Sequence, residues 1–274
     1  MRRIDSKGRQ TTFFSLDERK EKLQSVSQTL DALDQLIPWE NFRPLLSTLY
    51  KDNSIKGGRP PYDEVLMFKC MILQHLYNLS DEQLEYQILD RLSFMKFLDM
   101  TTASPVPDHN TIWGFREKLK KHDLTRKLFD LFDNYLSQSG FRINQGLMTD
   151  ATFVEVPRQR NTRKENAEIK KGETPESFAT KTPAQLSHKD TDARWTKKND
   201  QTFYGYKDHI TADTDNKFIR DYIVTSASVH DSIPFLSILP EDGRGLLTVY
   251  ADSAYSGKEI EAELEYRKRS SEIC

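Results

Sequence analysis

Apolar residues recur at steps of three and four from about Leu16 to Ile37. Leu23, Val26, Leu30, Leu33 and Ile37 share one face and predict an amphipathic helix. Two readings of that face stay open, packing within its own domain or pairing as a coiled coil, although the run is shorter than a coiled coil needs. Pro38 breaks the pattern. Gly57, Gly58, Pro60 and Pro61 then mark a loop, and Asp63 to Tyr77 is a mostly apolar helix. After Asn78 and Leu79, Ser80 and Gln83 form a capping-box pattern opening SDEQLEYQILDRLSFMKFL. Two helices joined by so short a turn resemble a helix-turn-helix arrangement. Pro105 and Pro107 end this stretch, Asp108 is placed to cap HNTIWGFREKLKKHDL, and Leu124 to Leu136 continues helical.

The period changes at Gly140. GLMTDATFVEVP alternates and is β-branched, which predicts a strand. FYGYKDHITADTD and KFIRDYIVTSASV, joined at Asp215-Asn216, predict an antiparallel hairpin. SIPFLSIL reads as a short helix, LLTVYADSAY as an apolar strand ending in an acid, and GKEIEAELEYRKR as a polar helix. Between the first strand and the hairpin, residues 157–200 carry 11 Lys/Arg against 7 Asp/Glu and few large apolar residues. That composition predicts a flexible, mildly basic insertion without regular structure. The fold class expected is α/β: an all-helical N-terminal domain over residues 1–139, then a mixed sheet covered by helices over 140–274.

Composition narrows the picture. The 274 residues suffice for one large domain or two ordinary ones, with 36% apolar and 30% charged residues. A net charge of −2 provides no global basic field, so attraction to a polyanion must come from local patches. Two lone cysteines, Cys70 and Cys274, argue against a zinc site and a disulfide framework and fit a reducing, cytoplasmic setting. No apolar stretch approaches eighteen residues, and the basic N-terminus lacks the apolar region of a signal peptide, so no membrane partner is expected.

Two aspartates stand out by position. Asp150 lies within a strand of apolar and small residues, and Asp252 closes the strand Leu246–Ala251. Each could simply end or turn its strand. Brought together from neighbouring strands, they could share hard divalent cations, which prefer carboxylate oxygens and can serve in-line phosphoryl displacement. His230, in SVHDS, is either structural or, with Asp231 beside it, a support for the site. Arg116, Lys118, Lys120 and Lys121 could face DNA phosphates or form a solvated helix face. Lys207 could hold a phosphate or snorkel. His109 and His209 take the structural reading, and the acids of EIEAELE read as a solvated face.

In this order, five blocks resemble bacterial insertion-sequence transposases of the acidic-triad (DDE) superfamily, the insertion-sequence-five group most closely. They are IPWENFRPLLSTLY with GGRPPYDEVLMFKCMILQHLYNLSDEQLEYQILDRLSFMKFL and PDHNTIWGFREKL, then GLMTDATFVEVP, KKNDQTFYGYKDHI, TSASVHDS and YADSAYSG. The resemblance implies a helical domain that binds the element's ends, and a ribonuclease-H-like catalytic core in which Asp150 and Asp252 match the first two acids. It implies DNA as partner, Mg2+ or Mn2+ as cofactor, a homodimer or higher assembly on paired ends, and a bacterial, nucleoid-associated location.

The resemblance also implies a third acid, a Glu on a late helix. Here Cys274 follows Asp252 by only 22 positions, and Glu272 in RKRSSEIC lacks a helical surround. Neither Glu272 nor the acids from Glu259 to Glu265 are assigned that role. The expectation is a C-terminally truncated transposase whose two-acid site is impaired, with a non-catalytic DNA-binding regulator of transposition as the alternative.

Overall fold

The computed structural model describes residues 29–50, 60–141, 146–159, 161–198, 200–240 and 247–273. The chain divides into two compact units, Met1–Tyr135 and Leu136–Cys274. No helix among the described residues is long and apolar enough to cross a membrane.

In the first unit every regular element among the described residues is helical. The helices are α1 (Thr29–Leu36), α2 (Arg43–Leu46), α3 (Glu64–Leu76), α4 (Asp81–Asp90), α5 (Leu92–Phe97), α6 (His109–Lys121) and α7 (Leu124–Gln138), the last running past Tyr135. The expected helix from Leu16 is seen from Thr29; residues 16–28 lie outside the described residues. Local chemistry sets the starts. The Asp63 carboxylate accepts from the Val65 and Leu66 amides, Ser80 and Gln83 form the expected capping box, and Asp108 accepts from Thr111.

α3 is the centre of this unit, with Val65, Met67, Cys70, Met71 and Leu73 all buried. Leu84 and Ile88 of α4 and Ile112, Phe115 and Leu119 of α6 follow the helical repeat and join the same core. Each such side chain contributes roughly 1.5–3 kcal/mol by leaving water. One expectation needs correction: the helix from Ser80 is broken at Arg91, whose backbone is extended (φ −102°, ψ 115°). The break re-aims Phe94 and Phe97 into the core, while the Arg91 guanidinium lies over the Tyr77 and Phe94 rings.

The second unit is a six-stranded mixed sheet with helices. Its strands are β1 (Gly146–Glu155), β2 (Arg194–Lys198), β3 (Gln201–Asp213), β4 (Ile219–Ser226), β5 (Leu247–Ala251) and β6 (Arg269–Ile273). β3 pairs antiparallel with β1, β2 and β4, whereas β5 pairs parallel with β1 and with β6. The order is β2-β3-β1-β5-β6, with β4 also paired to β3; the antiparallel run β4-β3-β1 followed by the two parallel strands β5 and β6 is a mixed sheet, as expected. Leu147, Leu247 and Val249 form the sheet's part of a core closed by Phe235, Leu239, Tyr255, Ile260 and Leu264.

Two expectations fail here. Residues 157–200, read as lacking regular structure, carry α8 (Arg163–Lys170), α9 (Pro183–Leu186) and β2. Their signals were two capping boxes, Thr162 with Glu165 and Thr182 with Gln185, which polar composition obscured. Hydrogen bonds from Ser177, Thr162 and Lys181 hold the buried Glu165 carboxyl down at about 2. The tail RKRSSEIC, read as a polar end, contributes β6: RSSEI has no alternating apolar pattern, and pairing along β5 makes it a strand.

Gly205 in β3 has φ +150°, and a Cβ there would lie 2.1 Å from the Val154 carbonyl oxygen of β1. Gly205→Ala is expected to destabilise the sheet unit by at least about 2 kcal/mol, because backbone cannot yield as a side chain does. Denaturant unfolding followed by circular dichroism checks it.

Candidate active site

Asp150 lies on β1 between two very different faces. Leu147 and Thr149 point into the sheet unit and are buried, the Thr149 hydroxyl lying 2.9 Å from that of Thr211 on β3. Met148, Asp150 and Thr152 occupy the other face, where Asp150 is exposed. One Asp150 oxygen accepts from the Ala151 amide at 2.7 Å.

Register brings the second acid alongside. β1 pairs with β5 as Gly146 with Thr248, Leu147 with Val249 and Met148 with Tyr250. That ladder ends at Met148 and Tyr250; Asp150 lies two residues beyond Met148, and Asp252 two beyond Tyr250 with extended backbone (φ −79°, ψ 170°), so by alternation both acids follow the same face. Its carboxylate caps the short 3₁₀ turn Ser253–Tyr255 by accepting from the Ala254 amide at 3.0 Å. Tyr255 anchors that turn: its ring is fully buried against Phe235, and its amide donates to the Asp252 carbonyl. Burial above all, then the carboxylates of Asp231, Asp150 and Asp252, push the Tyr255 phenol well above its usual range. Its hydroxyl is buried without a hydrogen-bond partner among the described residues.

The other expected site residues are placed differently. His230 is exposed, and its ring nitrogen meets the Ser232 hydroxyl at 2.8 Å. Its neighbour Asp231 is the buried one. Lys207, read as a phosphate contact, is also buried; its Nζ donates to Asp231 Oδ1 at 2.7 Å and to the Val229 carbonyl at 2.9 Å. The DNA contact expected of Lys207 is therefore corrected to an internal strut, because its charge is already compensated inside the unit. Sequence offered only the adjacency of Asp231 to His230 as a signal. Beside the strut, His209 is fully buried, with Nε2 2.9 Å from Thr225 Oγ1 and Nδ1 unpartnered among the described residues.

In the first unit, Arg116 is half-buried and paired. Its guanidinium clasps Asp81 through both nitrogens at 2.8 and 2.6 Å and reaches Gln74 at 3.1 Å, tying α6 to α3 and α4. Lys118 lies over the Tyr50 ring at 4.7 Å, and Lys120 and Lys121 are exposed on the last turn of α6. Glu272 is exposed on β6 opposite Tyr250. Among the described residues no group of three His, Cys, Asp or Glu is placed to hold a metal ion. Asp150 and Asp252 nonetheless offer a pair of exposed carboxylates, the donor type hard divalent cations take together with waters.

Two expected outcomes follow from the strut. Removing only one member, as in Asp231→Ala, leaves a buried uncompensated lysine and is expected to cost about 3–5 kcal/mol. The apolar double replacement Lys207→Met with Asp231→Leu should cost less than that single change when both are compared by denaturant unfolding. Burial lowers the His209 pKa from 6.5, so the unfolded chain binds its proton first as the solution acidifies. The stability from neutral His209 is present above pH 6.5 and lost as pH falls towards its folded value. Stability-versus-pH curves of wild type and His209→Gln should therefore diverge on the acid side, with the variant flatter.

Two transposase family models and one solved structure match this chain. The Transposase domain (DUF772) family matches residues 17–118, and the Transposase DDE domain family matches residues 143–272. Among solved structures, the chain is similar to a piggyBac transposase in a synaptic complex with hairpin DNA, at 15% identity and a TM-score of 0.35. That likeness covers 85% of this chain and 46% of the other, so this chain spans about half that protein's length. Taken together, the two family matches cover both the helical unit and the sheet unit, and the chain belongs to the DDE transposases.

Proposed function

We propose that this chain binds the ends of an insertion-sequence element through its helical domain, residues 1–139. In the same reading, a catalytic core, residues 140–274, takes part in metal-dependent strand cleavage and strand transfer. The observation that supports the reading is the β1–β5 register, two residues past whose last pair, Met148 with Tyr250, come the exposed Asp150 and Asp252.

In this reading Asp150 and Asp252 are the carboxylates that hold Mg2+ or Mn2+. The backbone amides of Ala151 and Ala254 fix one oxygen of each and so limit how far the two groups can swing. The bound cations would supply charge neutralisation at the scissile phosphate and activation of the attacking oxygen. Tyr255 and the Lys207–Asp231 strut are positioning residues: they seat the turn after β5 and the segment after β4. Lys118, Lys120 and Lys121 hold phosphates, which provide sequence-independent affinity. Arg116 acts through Asp81 by presenting α6. Two element ends must be handled together, so the working form is a homodimer or larger assembly on DNA.

A second reading is favoured by one observation, the lack of a third acid beside Asp150 and Asp252 among the described residues. It makes the chain a DNA-binding regulator that occupies ends without cutting. One experiment separates the two: end-containing DNA is incubated with the chain and Mn2+, and nicking and retardation are both scored. Cleavage lost by about a thousand-fold or more in Asp150→Asn and Asp252→Asn, with retardation unchanged, supports the catalytic reading. Retardation without nicking in the wild type supports the regulator, and no retardation at low salt sinks both.

A further inference from the structure

β2 and the start of β3 form a ribbon that extends beyond the run β4-β3-β1-β5-β6. β2 pairs with the first five residues of β3, Gln201 to Gly205, whereas β4 pairs beyond them from Tyr206. The ribbon sequence RWTKKNDQTFYG carries Arg194, Lys197 and Lys198 against Asp200. Its base is anchored: Tyr206 donates to the Asp190 carboxylate at 2.7 Å, and Arg194 reaches the Ile169 carbonyl at 3.2 Å.

Trp195 is 49% exposed on this ribbon. A ribbon held together only by apolar burial would turn so large a ring inward. Instead the Trp195 ring meets Tyr204 at 4.9 Å, and the Arg158 guanidinium lies 5.1 Å from its centre. Lys197, on the same side of β2, pairs with Asp200 at 2.8 Å, and both side chains are largely exposed. Such a surface ion pair is weak and readily exchanged for a phosphate. An exposed indole flanked by cations on a rigid ribbon suits a stacked base with its backbone phosphates.

Register also sets which face this is. Trp195 pairs with Tyr204, and Tyr204 alternates along β3 with Tyr206, Asp208 and Ile210, the partner of Asp150. Trp195 and Asp150 therefore share a sheet face, separated by six residues of β3, about 20 Å along the strand. We propose that Trp195, Arg158 and Lys197 form a platform for single-stranded DNA beside the cut, with Trp195 stacking on an unpaired base. This deepens the proposed function and rests on it.

The test compares two labelled DNA probes, a blunt duplex and the same duplex with a single-stranded overhang, titrated with the full chain at low salt by fluorescence anisotropy. Wild type should prefer the overhang. Trp195→Ala should weaken overhang binding about ten-fold or more and leave blunt-duplex binding unchanged, and Trp195→Phe should retain most of the preference. Should Trp195→Ala fail to fold, as judged by circular dichroism, Trp195→Phe and Arg158→Ala on the same probes decide the matter. Overhang affinity unmoved by these variants, or lost equally on both probes, overturns the platform, as does an equal preference for an RNA overhang. Wild-type binding to both probes without a Trp195 effect sinks the platform alone, whereas no binding to either probe sinks the proposed function with it.

Discussion

The parallel pairing of β1 with β5 is the contact on which the sheet unit's arrangement rests. It joins Gly146–Met148 to Thr248–Tyr250, segments about a hundred residues apart, through only three residue pairs. Closing so long a loop costs conformational entropy, although the cost grows slowly with length. Burial offsets it: Leu147 and Val249 are both fully excluded from water in the core that Tyr255 and Phe235 complete. The same burial makes the register strict, because a slip of one residue would turn Leu147 outward and Asp150 inward. The alignment of the two acids is thus a by-product of where the apolar residues must go.

Around that pairing, the sheet unit places polar groups inside where they act as constraints. Lys207 and Asp231 bridge β3 to the segment after β4, and Thr149 and Thr211 join β1 to β3 through their hydroxyls. Buried polar groups are costly unless matched, so these contacts tolerate few alternatives to the observed packing. His209 and Tyr255 each carry a buried polar atom with no hydrogen-bond partner among the described residues.

The helical unit uses charge in a parallel way. The Arg116 clasp on Asp81 and the buried Lys69, bonded to Asp34 and Asp99, tie helices to one another. Other cations stay exposed, among them Lys118, Lys120 and Lys121 at the end of α6. A net charge of −2 therefore describes the whole chain poorly, because some cations are neutralised internally and others cluster on particular surfaces.

Much of the fold was legible in the chain itself, wherever the information was local. Caps at Ser80 and Asp108, the helix after Asp108, the hairpin of β3 and β4, and the apolar run of β5 all formed as their residues predicted. Asp150 and Asp252 were likewise recognisable, as acids within or at the end of apolar strands. Other features were decided only by the tertiary structure. RSSEI is a strand because β5 offers it an open edge, and Arg91 breaks a helix because Phe94 and Phe97 must reach the core. Arg116 and Lys207 look like surface cations in sequence, yet their partners Asp81 and Asp231 lie 35 and 24 positions away. Periodicity and capping act over a few residues and are written in order along the chain. Pairing, burial and charge compensation depend on which distant segments meet, and only the folded sheet and bundle settle that.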